Sequence, residues 1–250
     1  MKRLALGVVV AVLGVAGCAP RVTERREAAK PQLYRCRRVV GKIAIDGKLD
    51  EPAWERATPL DDFRIPPDAK KPRHPSSAQL LWDDEFLYFG MVMEDFDVYG
   101  LKTERDSATW EDDVAELFLK PSEVEPAYYE IHITPRGTVL DIMIARRNAA
   151  GSIDRWKGWD SGVKAAVAIS GTLNNWRDRD KGWIVEAAIP WTAFAGTAPR
   201  PQLGDRWRFA VCRYDYSVHL EAGRELTSSA RLTELNFHRY EDYDILELSE

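Results

Sequence analysis

The 250-residue chain is poor in cysteine, with three, and in histidine, with four, and it has no excess of positive charge. Thirty-five Lys and Arg stand against 40 Asp and Glu, a net charge of -5 at pH 7. A nucleic-acid-binding face needs a basic patch to meet phosphate, so this balance argues against one. Long apolar runs are scarce too. The single one lies near the N-terminus, which excludes a multi-span membrane protein. There is no glycine-rich phosphate loop, no Gly-x-Ser-x-Gly elbow, no His-Glu-x-x-His pair and no Cys-x-x-Cys spacing. The four histidines, His74, His132, His219 and His238, are scattered and read as surface or core residues rather than ligands. A glycosidase needs two carboxylates facing each other across a cleft. Among 40 acidic residues no pair is singled out by pattern. No organic cofactor is expected.

What is present is ordinary globular composition, 45% hydrophobic and 30% charged, with a surplus of rings: nine Trp, nine Tyr and eight Phe. Aromatic wealth suits an all-β core, and it suits a surface that stacks flat ligands.

Lys2 and Arg3 precede an uncharged apolar stretch, Leu4 to Ala16, that is too short to span a bilayer comfortably. It fits the core of a signal peptide, residues 1–17. The ending Val15-Ala16-Gly17-Cys18 resembles the bacterial lipobox, in which the Cys becomes lipidated and N-terminal. The alternative is a plain secretory signal with a chance Cys. Ala19 rather than Asp at the next position points to the outer membrane of the cell envelope. The mature chain would then be lipid-anchored and otherwise soluble. Residues 18–37 read as the lipidated Cys and a tether, and residues 38–250 as one domain. Export implies an oxidising compartment, so Cys36 and Cys212 are either a disulfide or two separate buried thiols.

Beyond residue 38 the hydrophobic pattern has period two. Thr138 to Ile144, Tyr129 to Ile133 and Trp183 to Ile189 alternate as half-buried strands do. Phe86 to Glu94 is apolar on both faces and reads as a central strand. Further strands are predicted near 39–46, 78–82, 114–119, 163–170, 206–214 and 244–248, and short helices at Glu51 to Arg56 and after Pro190. The fold class is all-β: a two-sheet antiparallel β-sandwich of jelly-roll or immunoglobulin type, with one or two short helices. Acidic residues gather between Glu94 and Asp113. Asp95, Asp97 and Asp112 would suit Ca²⁺ as hard oxygen ligands, and a solvated acidic loop is the other reading.

Five stretches, in order, resemble the family 9 carbohydrate-binding modules: Ile45-Asp46-Gly47-Lys48-Leu49-Asp50-Glu51-Pro52-Ala53-Trp54; Leu81 to Tyr88 followed by Glu94-Asp95; Thr109 to Phe118; Gly182 to Trp191; and Asn236-Phe237-His238. They cover about residues 43 to 248. The resemblance implies a β-sandwich, often with bound calcium, that holds a sugar between two aromatic rings without cleaving it. Trp110 stands at the first ring position, and Glu116, six residues on, at that of an acidic residue accepting sugar hydroxyls. Glu116 alternates against Ala115, Leu117 and Leu119, so it points away from the core. Phe237 falls at the second ring position, where Trp is usual. Glu130 stands where an Arg contacts sugar in the family, and Cys212 where a Gln stands. Arg213 and Asn236 are placed near the same end as donors to hydroxyls, with a structural ion pair the competing role for Arg213.

The leading expectation is a non-catalytic, envelope-anchored carbohydrate binder that aids capture or catabolism of a xylan- or glucan-type polysaccharide. Its expected partners are an oligo- or polysaccharide, a membrane through the lipid anchor alone, and an envelope glycoside hydrolase or transporter. Two alternatives stand beside it: a haem b-binding electron carrier using Met91, Met93, His132 and His238, and an accessory module to an O-glycosyl hydrolase.

Overall fold

The structure is a computed structural model that describes residues 29–149 and 151–250. The signal peptide and Cys18 lie outside the described residues. Among the described residues no helix is long and apolar enough to cross a membrane.

Eleven strands form two packed leaves. One leaf carries β4 (Val114–Lys120), β5 (Tyr128–Ile133), β6 (Val139–Ile144), β9 (Arg206–Tyr216), β10 (Arg224–Ser228) and β11 (Asp244–Ser249), in the order β6-β5-β4-β9-β11 with β10 also on β9. The other carries β2 (Ser76–Trp82), β3 (Phe86–Glu94), β7 (Lys164–Ser170) and β8 (Gly182–Pro190), in the order β2-β3-β8-β7. Within each leaf the pairs are antiparallel. The leaves are stitched by β1 (Leu33–Arg38), which runs parallel to β11 on one side and β2 on the other. As the apolar pattern predicts, β3 is central, flanked by β2 and β8.

Period-two alternation sorts the side chains into three layers. Between the leaves pack Ala115, Leu117 and Leu119 of β4, Tyr129 and Ile131 of β5, and Phe209 and Val211 of β9, against Leu80, Phe89, Met91 and Val185 of the opposite leaf. Each large side chain fully buried there contributes about 1.5–3 kcal/mol. The outer face of the second leaf is covered by the segment before β2. Trp54 lies on it, its Nε1 donating to Glu186 Oε1 at 3.0 Å, while the Asp46 and Gly47 amides donate to Glu186 Oε2 at 2.9 Å each. Gly47 has φ +86°, and a Cβ there would crowd the Val167 backbone at 3.2 Å. Gly90 on β3 lets this segment pack closely, since a Cβ there would meet the Leu49 side chain at 2.7 Å and the Trp54 ring at 3.2 Å and force them to shift. Two of the five recognition stretches are therefore scaffold. The outer face of the first leaf carries the third layer: Phe118, Tyr128, Leu140, Ile142, Ala210, Cys212, Phe237 and Tyr243.

Two sequence expectations are corrected, and two others are made specific. Residues 39–46 form no strand. They run extended over the second leaf, where Val39, Ile43 and Ile45 pack against Trp54, Leu81 and Tyr88, so alternation reflects packing without a ladder. Strand β1 falls in the segment assigned to the tether: its three arginines mask an alternation that buries Tyr34 and Cys36. The two short helical pieces expected are present as single 3-10 turns, Trp54–Arg56 and Trp191–Phe194. Cys36 and Cys212 are free thiols. Cys36 points between the leaves and Cys212 to the outer face of the first, so the sheet itself separates them.

Candidate functional site

The outer face of the first leaf is where alternation places charged side chains among rings. Register sets Glu116 of β4 directly opposite His132 of β5, and Phe118 opposite Glu130. Glu130 and His132 are two apart on one strand and so share a face. The 3-10 turn Thr109–Glu111, just before β4, brings in Trp110, and the loop after β10 brings in Leu235, Asn236, Phe237 and His238. These residues, with Ile153, Tyr214 and Leu226, line a pocket of about 290 Å³. That is at the small end for ligand sites, roughly 300–1,000 Å³. A second hollow of about 240 Å³ adjoins it, sharing Ile153, Asn236 and His238 and adding Trp156, Arg146 and Asn148. Larger hollows lie beside Trp191, about 540 Å³, and beside His219, about 730 Å³. Neither is lined by a buried polar atom lacking a hydrogen bond.

The pocket floor is ionic and buried. Glu116 is 1% exposed, Glu130 4% and His132 1%. His132 Nε2 lies 2.5 Å from Glu130 Oε1 and 3.2 Å from Glu116 Oε1, and its Nδ1 lies 2.8 Å from Thr109 Oγ1. His238 Nδ1 meets the Tyr128 hydroxyl at 3.0 Å and Glu130 Oε2 at 3.6 Å. Both Glu116 oxygens and Glu130 Oε2 have no hydrogen-bond partner. Burial, reinforced by Glu130, pushes the Glu116 carboxyl up to about 8 despite His132. Burial works the same way on Glu130, but His238 and His132 outweigh it and hold that carboxyl below its ordinary value. Burial alone would lower His132; Glu116 and Glu130 reverse this and raise it. The floor thus offers acceptor oxygens that no hydrogen bond in the fold satisfies and that only two imidazoles approach, a costly state without a ligand.

Five residues singled out from sequence, Trp110, Glu116, Glu130, Asn236 and Phe237, line this one pocket. The two rings are unequal partners. Trp110 is partly exposed, whereas Phe237 is 5% exposed, packed edge-on to Tyr214 with centroids 5.4 Å apart, its carbonyl accepting from the Tyr243 hydroxyl. Arg213 is elsewhere. One step along β9 from Cys212 turns it to the inner face, where it pairs with Asp95 at 2.9 Å and Asp215 at 3.4 Å and donates to the Glu94 carbonyl. It is an internal ion-pair residue. Sequence reasoning did not assign His132, Tyr214, Phe118 or His238 to a sugar pocket. The available signal was the Glu130-x-His132 spacing on an alternating strand.

The acidic segment does other work. Asp95 Oδ1 accepts from the Asp97 amide and Oδ2 from Arg213, Asp97 Oδ2 accepts from the Val218 amide, and Asp112 Oδ2 accepts from the Leu101 and Lys102 amides. Of these three only Asp112 keeps a buried oxygen without a hydrogen bond, and their oxygens do not converge on one point. They do not fit a calcium site together. Two other groups do converge within 4.8 Å: His74, Asp95 and Asp215, and Glu116, Glu130 and His132. Met91 and Met93 lie in the core between the leaves while His132 and His238 face the outer pocket, so these four side chains do not open into one cavity for haem.

A two-leaf sandwich whose pocket sits on one outer face, walled by aromatics over hydrogen-bonding side chains, defines a small-ligand-binding module. The family described as Carbohydrate family 9 binding domain-like matches residues 45–249, and the chain belongs to it. Solved structures share the fold. A candidate carbohydrate-binding protein from Bacteroides uniformis superposes with a TM-score of 0.65 at 14% identity, covering 88% of this chain and 100% of that one. A family 9 carbohydrate-binding module from Caldicellulosiruptor kristjanssonii in complex with cellotriose gives 0.56 at 14% identity, over 87% of this chain and 94% of that one. The same description in complex with glucose gives 0.53 at 16% identity, over 86% and 95%. Endo-1,4-beta-xylanase A of Thermotoga maritima is 23% identical over 157 residues, 63% of this chain. The chain spans only 13% of that enzyme's length.

Proposed function

We propose that the pocket at Trp110 binds a sugar unit of an oligo- or polysaccharide without cleaving it. The observation that carries this reading is that a partly exposed indole and the unsatisfied oxygens of Glu116 and Glu130 line one pocket. A pyranose offers flat faces of C–H groups to a ring, and its hydroxyls need directional partners, which carboxylates supply as acceptors. The adjoining hollow with Trp156, Arg146 and Asn148 gives room for a further unit. Membership of a carbohydrate-binding family supports the reading. So do the cellotriose and glucose complexes of the Caldicellulosiruptor module, which make gluco-oligosaccharides the first ligands to test. The xylanase match adds xylo-oligosaccharides.

The non-catalytic reading rests on the floor's geometry. Glu116 and Glu130 stand side by side on neighbouring strands and share one imidazole, rather than flanking a bond from two sides. The setting we propose is an exported, lipid-anchored protein of the outer membrane working beside a separate glycoside hydrolase or transporter. The N-terminal sequence supports this. Calorimetric titration with cello- and xylo-oligosaccharides tests the binding. Saturable binding is expected, weakened at least tenfold, about 1.4 kcal/mol, by Trp110→Ala. Absence of binding to both series, or Trp110→Ala binding as the unaltered protein does, refutes it.

A further inference from the structure

We propose that Glu116, Glu130 and His132 form a binding site for a divalent first-row transition-metal ion, with zinc(II) as its representative. The three donors come from adjacent strands whose register fixes them together: Glu116 opposite His132, and Glu130 two residues along the same face. Their ligand atoms all lie within 4.8 Å of one another. The 3.2 Å between His132 Nε2 and Glu116 Oε1 is the edge length expected of a site with bonds of about 2.0–2.2 Å. The 2.5 Å contact of His132 Nε2 with Glu130 Oε1 opens slightly when an ion enters between them.

An independent observation points to a missing cation. Both oxygens of Glu116 and Oε2 of Glu130 are buried without a hydrogen bond, in side chains more than nine-tenths buried that line the pocket. Among the described residues no Lys or Arg lines that pocket. Two carboxylates and a doubly charged ion make a neutral set, which a buried site demands. The imidazole is held in the right orientation. Thr109 Oγ1 lies 2.8 Å from Nδ1, so with the proton on Nδ1 donating to Thr109, the Nε2 lone pair faces the carboxylates. Such an outer partner is what metal-binding histidines have. One imidazole with two carboxylates suits zinc, manganese or iron(II), whereas Ca²⁺ prefers six to eight oxygens. Three protein ligands leave a coordination position open toward the pocket at Trp110.

The test uses the purified protein, stripped with chelator, titrated with zinc chloride in the absence of carbohydrate and followed by equilibrium dialysis with metal analysis. The expected result is one zinc per chain, lost or weakened at least tenfold in His132→Ala and in Glu116→Gln, with calcium chloride binding at least tenfold more weakly at the same site. Thermal melts of the stripped variants confirm folding, and Glu130→Gln serves as the third ligand variant if either fails to fold. Less than a tenth of an equivalent of zinc bound at 100 μM free metal, undiminished binding in folded ligand variants, or calcium bound as tightly as zinc would overturn the proposal. Because no sugar is present, these outcomes are separate from success or failure of the carbohydrate reading.

Discussion

Two buried clusters are built from the same kinds of side chain and come to different ends. On the inner side of the first leaf, His74, Asp95 and Asp215 converge, with Asp113 close by, around Arg213. On its outer side Glu116, Glu130 and His132 converge with no guanidinium among them. Burial opposes the charge on Arg213, yet Asp215, Asp95 and Asp113 outweigh it and hold the guanidinium protonated. Its Nη1 donates to the Glu94 and His74 carbonyls and the Ser76 hydroxyl and its Nη2 to Asp95, while Nε is buried without a hydrogen-bond partner. That cluster has its cation built in and serves to lock the loop after β3 onto β9. The outer cluster has only an imidazole to share, opens past exposed Leu235 and Asn236, and keeps unsatisfied acceptors. The inner cluster also keeps His74 Nε2, Arg213 Nε and Asp215 Oδ1 without hydrogen bonds, so what separates the two is charge and access: carboxylates with a built-in cation are architecture, and carboxylates without one beside an opening are a place for a ligand.

The comparison can be broken first at its strongest point. Arg213→Met removes the sole fixed cation from the inner cluster and leaves buried carboxylates unopposed. Urea denaturation should show a loss of about 3–5 kcal/mol; a loss below about 1 kcal/mol would mean the pairing is not structural. Glu116→Gln should act in the opposite sense on chelator-stripped protein. Measured at pH 9, above the value of about 8 to which burial raises this carboxyl, removing a charge without a fixed cation should raise stability by about 2 kcal/mol, and destabilisation in the same assay would place Glu116 among the architectural residues. The smallest effect calibrates both. Asp244, buried outside the two clusters, has its carboxyl raised to about 6 by burial, while its Oδ1 accepts from the Gln32 amide at 2.8 Å. A folded-state value above the unfolded one means that the fold binds the proton more tightly. Stability contributed by this group is therefore lost as pH rises from about 4 through about 6. Asp244→Asn keeps the acceptor and should remove about 1 kcal/mol of that slope. An unchanged pH profile would show that buried carboxylates here cost little.

Much of the scaffold was legible because strands buried on one face declare themselves by alternation. β4, β5, β6 and β8 follow from it, and β3 from an apolar run too long-sided for an edge. What alternation does not reveal is pairing. Val39 to Ile45 alternates by lying across a sheet, and Arg224 to Ser228, polar and short, pairs with β9 without a hydrophobic signature. Tyr34 and Cys36 were hidden among arginines. The resemblance singled out Trp110, Glu116, Glu130, Asn236 and Phe237, and register and turn do bring these five to one pocket, although Phe237 is buried rather than presented as a second open ring. For Arg213 the structure bears out the ion-pair reading rather than the sugar-donor one, because a single residue's shift on β9 decides which side of the leaf a side chain faces. His132 was overlooked because a lone histidine carries no signal until the opposite strand is known. Sequence left a disulfide and two separate thiols both open for the same reason, and the structure selects the thiols, since a sheet divides Cys36 from Cys212.

The central claim, that the outer pocket rather than any other surface receives a sugar, is tested most directly by assigning the nine indole N–H resonances and titrating with cellotriose and xylotriose. The account predicts a saturable shift of the Trp110 resonance, with smaller shifts at Trp156 and none at buried Trp54 or Trp183. Shifts confined to Trp176 or Trp191, with Trp110 unmoved at saturation, would contradict it.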